Sequence, residues 1–177
     1  TDTGANDPAS LSLACVCIYD SATNTYGSFF EEELPKLWPI LEKADLLIGY
    51  NSDHFDIPLL NKYYPGDLSG IKSLDLMKKI QKVLGRRIGL DAVASATIGS
   101  RKSGSGALAN IWWRQGERQK VVDYCLDDVR ITKAIYDHAL KHGKVQYPDG
   151  KMIRDIVLDT SDWEKEQEHA LTHTLPF

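Results

Sequence analysis

No apolar run in this 177-residue chain approaches the roughly 18 residues that a membrane-spanning helix needs, and no charged-then-apolar leader opens it. The chain therefore reads as soluble, with no membrane partner. Cysteine is scarce and odd in number, at three. Cys15 and Cys17 lie in the apolar run LSLACVCIY, where period two places both on one face of a strand. With no third or fourth ligand evident in the sequence, they read as buried reduced thiols in place of a metal site, which implies a reducing, cytoplasmic compartment. Two chemical signatures are also missing. RKSGSG, residues 101–106, has no Gly at the position that GxxxxGK[ST] requires before Lys102, so a triphosphate loop is not met. His138 and His142 are one turn apart but belong to no HExxH, and near a helix C-terminus positive charge is favourable in itself.

What is present suffices for one core: 42% of residues are hydrophobic, and the length predicts a single domain over 1–177. Residues 11–20 and 25–31 predict two antiparallel strands joined by SATN. Residues 31–43 carry helical spacing, interrupted by Pro35 and Pro39. ADLLIGYN predicts a buried strand, and SDHFDIPLLNKYY a turn entering a short helix. Helices are predicted over 73–85, ended by Gly85, over 90–99, and over about 117–142, ended by Gly143. A hairpin turning at PDG and a tail, 144–177, follow as an appendage to this domain. The order predicts an α/β domain of two or three layers.

The net charge of −4 argues weakly against a polyanionic partner, but the charge is unevenly spread. Residues 78–120 hold five Lys and five Arg against Asp91 and Glu117 alone, leaving the rest of the chain acidic. The same stretch carries Trp112, Trp113 and the Gly/Ser-rich RKSGSG. Basic groups interleaved with aromatics suit a strand of phosphates and stackable bases, although a solvated face with one buried Trp has the same composition.

Two carboxylates stand out by position. Asp56 lies just past the predicted buried strand 44–51, where open α/β sheets place ligand groups. Asp128 lies on the long helix one turn after Tyr124, beside the apolar stripe Val121, Val122, Cys125, Val129 and Thr132. If that helix packs beside the strand end, both carboxylates reach one divalent cation, and hard oxygen ligands suit Mg2+ or Mn2+. Asp56 as a helix N-cap and Asp128 as a surface charge beside Arg130 are the bland alternatives. His54 lines the site or simply occupies the turn.

The run GYNSDHFDIPLL, then SLDLMKKI, then LDAVASATIG with RKSGSG, then IWWRQGERQKVVDYCLDDVRIT resembles the DEDDy-type 3'-5' exonucleases of the ribonuclease-H fold. Within these it is similar to the family named after YprB, related to the proofreading domain of family B polymerases. The resemblance runs from about Leu11 to Gly143. It implies a ribonuclease-H-like mixed sheet flanked by helices. It also implies two Mg2+ or Mn2+ ions and hydrolysis of single-stranded DNA or RNA from a 3' end. Asp56 matches the second motif as a metal ligand; Tyr124 and Asp128 match the third, Tyr124 positioning the water and Asp128 holding metal. Asn51, Arg101, Lys102, Ser103 and Trp112 are the expected nucleic-acid contacts.

One motif is not found: an apolar first strand ending in Asp-x-Glu, which supplies two of the four carboxylates. TDTGANDPAS resembles the polar loop that follows it. The expectation is a chain truncated at its N-terminus, without its first strand and inactive as it stands. The alternatives are a non-catalytic nucleic-acid-binding module of the same fold and a partner-recruiting domain. The terminal LTHTLPF resembles a sliding-clamp peptide without its leading glutamine.

Overall fold

The computed structural model describes residues 12–101 and 104–165. Strands β1 (Cys15–Asp20) and β2 (Thr25–Phe30) pair antiparallel, with Cys15 opposite Phe30 and Asp20 opposite Thr25. The turn between them holds Asn24 at φ 54°, a left-handed conformation that Asn tolerates. A 3-10 turn at Glu31–Glu33 leads into α1 (Leu34–Lys43). The expected helix 31–43 thus opens in tighter form, and Pro39 stays inside it. Leu34, Leu37, Trp38 and Leu41, at spacings of three and four, form its buried stripe.

Strand β3 (Leu47–Gly49), helix α2 (Asp56–Asn61) and strand β4 (Ser73–Asp75) form a β-α-β unit, with β3 and β4 parallel and Gly49 opposite Asp75. The strand expected over 44–51 is shorter. The helix expected from residue 73 starts instead at α3 (Leu76–Leu84), because its first residues are spent on β4. Gly85, at φ 80°, closes α3 as expected. Then come α4 (Leu90–Ile98), α5 (Gly106–Arg114) and α6 (Arg118–His142). The tryptophan-rich segment is therefore a helix in its own right. Ser105 Oγ caps it by accepting from Leu108 N–H at 3.3 Å. The final hairpin, β5 (Lys144–Asp149) with β6 (Met152–Val157), turns at Gly150.

Among the described residues, ladders of both senses are thus present, divided among three two-stranded pairs, with helices packed around them. The same residues form two apolar clusters. One joins α3, α4, α6 and the final hairpin through Ile80, Val93, Ile131, Ile135, Val145 and Ile156. The other lies under α1 and α2, where Leu37, Leu41, Leu59 and Leu60 take in Val16 and Ile18 of β1 and Leu47 of β3. Helix α6 packs on β1 and so runs past the first hairpin into the first cluster. Among the described residues no helix is long and apolar enough to cross a membrane. The expected loop 1–10, Leu11 of the expected strand 11–20, Lys102 and Ser103, and the clamp-like LTHTLPF lie outside the described residues.

Candidate active site

The turn that delivers Asp56 is built on a carboxylate that the sequence did not flag. Asp75, only 4% exposed, accepts from Asn51 N–H (2.8 Å) and Met77 N–H (3.0 Å) through Oδ1, and from Asp53 N–H (3.2 Å) through Oδ2. It therefore caps α3 and pins the turn after β3 with the same side chain. Asn51 takes a left-handed conformation there, φ 64°, and its side-chain oxygen accepts from Arg87 Nη2 at 2.7 Å. Gly49 is required by close approach: a Cβ at that position would lie 2.5 Å from the Cβ and Oγ of buried Ser52. The chain then folds back through Ile57 N–H to Ser52 C=O, 2.9 Å, and α2 begins.

Asp56 stands in the first turn of α2, after the N-cap Phe55, so the N-cap alternative is not what the structure adopts. Protein atoms crowding the carboxyl desolvate it and, together with the charges of Asp75 and Asp128, push it up to about 6. The residue nonetheless keeps an exposed surface. Asp128 is half-buried on α6, with Oδ1 closed to solvent. The two carboxylates, remote in sequence, thus come within electrostatic reach of each other. They do not form a tight triad with Asp75. Among the described residues, only Cys15, Cys17 and Cys125 bring three candidate ligand atoms within 4.8 Å of one another.

Tyr124, one turn before Asp128, converges with Trp112 and Leu108 on Gly104. A Cβ on Gly104 would lie 3.5 Å from Tyr124 Cδ2 and 3.3 Å from Trp112 Cη2. The backbone at Gly104 therefore passes close to the Tyr124 ring. The adjacent tryptophans separate by role. Trp113 stacks on Phe30 (centroids 6.5 Å apart) under the Arg118 guanidinium, and is engaged in packing. Trp112 lies with Tyr124 against Gly104. Arg101 is exposed, as is His54. Asp53 is bound by Lys78 (2.6 Å) and Ser73 (2.5 Å), which hold its carboxyl below the ordinary range despite partial desolvation. His138 and His142 lie with ring centroids 4.4 Å apart, and no acid or thiol joins them in a three-ligand group among the described residues.

Sequence reasoning missed Asp75 and Arg87. Asp75 had a usable signal, an acid directly before the apolar LMKKI run that suits a helix N-cap. Arg87 had none, since its partner Asn51 is far away along the chain.

A divalent cation fits what is present. Asp56 and Asp128 offer hard oxygens whose mutual repulsion a cation offsets, and Mg2+ is commonly held by one or two carboxylates with water and substrate phosphate completing its shell. Neither a curated protein nor a solved structure matches the chain. A family model described as the RNase H superfamily matches residues 10–140, most of the chain, and the match includes Asp56, Asp75, Trp112, Tyr124 and Asp128. With its α/β fold and that match, the chain belongs to the RNase H superfamily.

Proposed function

We propose that this chain is the domain of a metal-dependent 3'-5' exonuclease acting on single-stranded nucleic acid. The observation that carries the reading is the approach of Asp56 to Asp128 next to Tyr124. Asp56 and Asp128 would hold Mg2+ or Mn2+. When bound, such ions activate water and stabilise the leaving oxygen of a phosphodiester. Tyr124, one helical turn from Asp128, orients the attacking water. Trp112 offers a stacking face for a terminal base, and Arg101, with the basic stretch around it, neutralises phosphates. Asn51, held by Arg87, lines the rim.

The resemblance calls for four carboxylates, and the described site supplies Asp56 and Asp128, while both oxygens of Asp75 are committed to backbone N–H groups. Hydrolysis by this chain alone is therefore expected to be slight. The basic, tryptophan-bearing stretch 78–120 is also what supports the second reading, a nucleic-acid-binding module without catalysis.

The test compares the chain alone with one supplied with an upstream strand ending in Asp-x-Glu, on end-labelled single-stranded oligonucleotides with Mg2+ or Mn2+. The supplied protein should shorten the strand from its 3' end. Asp128→Ala should reduce that cleavage by more than the roughly 10–100-fold typical of losing an outer-shell metal partner. Binding of the strand should persist and weaken with salt. Cleavage that survives Asp128→Ala would sink the exonuclease assignment, and salt-dependent binding with no cleavage at all would put the binding module in its place.

A further inference from the structure

Cys15 and Cys17 project from β1 and Cys125 from α6, which packs on that strand. All three are free, half-buried thiols, and their Sγ atoms lie within 4.8 Å of one another. The third ligand that the sequence did not reveal is thus brought in by the long helix. In a tetrahedral zinc site each sulfur sits about 2.3 Å from the ion, so that ligand sulfurs are roughly 3.8 Å apart. Side-chain rotation of groups already converged covers the difference. We propose that Cys15, Cys17 and Cys125 form a binding site for a thiophilic cation, Zn2+ above all, with water or a solute ligand in the fourth position.

Soft sulfur donors select Zn2+ over Mg2+ and Mn2+, so the site stands apart from the carboxylates and does not depend on the exonuclease reading. Hydrogen bonds from Cys125 and then Cys17 hold the Cys15 thiol down to about 4, while contacts with Cys15 and Cys17, together with burial, push the Cys125 thiol up. On binding a divalent ion, each thiol that acts as a ligand surrenders its proton to solvent. The weak contact of Cys17 Sγ to Val122 C=O, 3.9 Å, is released in exchange. A disulfide is the poorer use of the cluster, since it consumes two sulfurs and strands the third. Cys125 falls between Tyr124 and Asp128, so the ion would tie β1 to the turn of α6 that presents both.

The whole chain, reduced and stripped by a chelator, is titrated with Co2+ and then Zn2+. One equivalent of Co2+ should give sulfur-to-metal charge-transfer absorption with tetrahedral visible bands, and Zn2+ should displace it. On the unsubstituted chain, one equivalent of Zn2+ should protect all three thiols from alkylation. Cys15→Ser and Cys125→Ser, each checked for native circular dichroism, should weaken Zn2+ binding by more than about a hundredfold, beyond the cost of losing an outer-shell partner. Asp128→Ala should bind Zn2+ as the parent does. Absence of the charge-transfer band, or thiols alkylated equally with and without Zn2+, would overturn the proposal. So would Zn2+ affinity unchanged in Cys125→Ser, and none of these results bears on hydrolysis.

Discussion

At the scale of single residues, Asp56 carries the clearest electrostatic signature. Its folded-state value is raised from 3.8 to about 6, so the folded chain holds this proton more tightly than the unfolded chain does. Below 3.8 both states are protonated and no penalty exists. As the pH rises through that window the unfolded chain ionises first and folding loses stability; the penalty is complete above about 6. Asp56→Asn should therefore shift the urea midpoint more favourably above pH 6 than near 3.8, by a modest amount because the side chain is exposed. The same difference at both pH values would show that the carboxyl is unstrained. The residues with a local pattern were legible here: Tyr124 and Asp128 are one helical turn apart, and Asp56 follows an apolar run. Asp75 was not singled out: its cap of α3 is local, but the Asn51 and Asp53 N–H groups are directed at it only by the folded turn after β3.

At the scale of elements, the final hairpin is tied to α4 by one hydroxyl. Thr97 Oγ1 donates to Gln146 C=O at 3.1 Å and accepts from Gln146 N–H at 2.8 Å. Thr97→Val keeps the shape and strands both backbone groups, which should cost about 1–3 kcal/mol in urea unfolding. A loss near zero would mean that water replaces the hydroxyl at the seam. The helices were readable because several turns repeat one spacing, and because Gly85 and Gly143 sit where a left-handed cap is needed. Strand β4 was not. SLD is three residues long, too short to show a period of two, and it runs directly into a helix whose pattern absorbed it. Its pairing with Leu47–Gly49 depends on a partner more than twenty residues away.

At the scale of the whole molecule, two apolar clusters divide the burial, with Leu37 central to one and Ile135 to the other, both fully buried. Leu37→Ala should cost about 2–5 kcal/mol and Ile135→Val about 0.5–1.5 kcal/mol. As the residues share no cluster, the double variant should match the summed costs to within about 0.5 kcal/mol in urea unfolding. A larger discrepancy would reveal that α6, which runs past both, couples them. The α/β class, most helices, both hairpins and the uneven charge were readable from the chain, and the three residues proposed for chemistry were named from it, because periodicity, caps and turn residues are local. Packing was needed to show that Asp56 feels Asp128, that Trp112 and Tyr124 converge on Gly104 while Trp113 stacks on Phe30, and that Cys125 completes a cluster with Cys15 and Cys17. Each of these is a meeting of groups far apart along the chain, fixed by how α6 packs on β1 and by how Asp75 pins the turn after β3, and no local spacing encodes such a meeting.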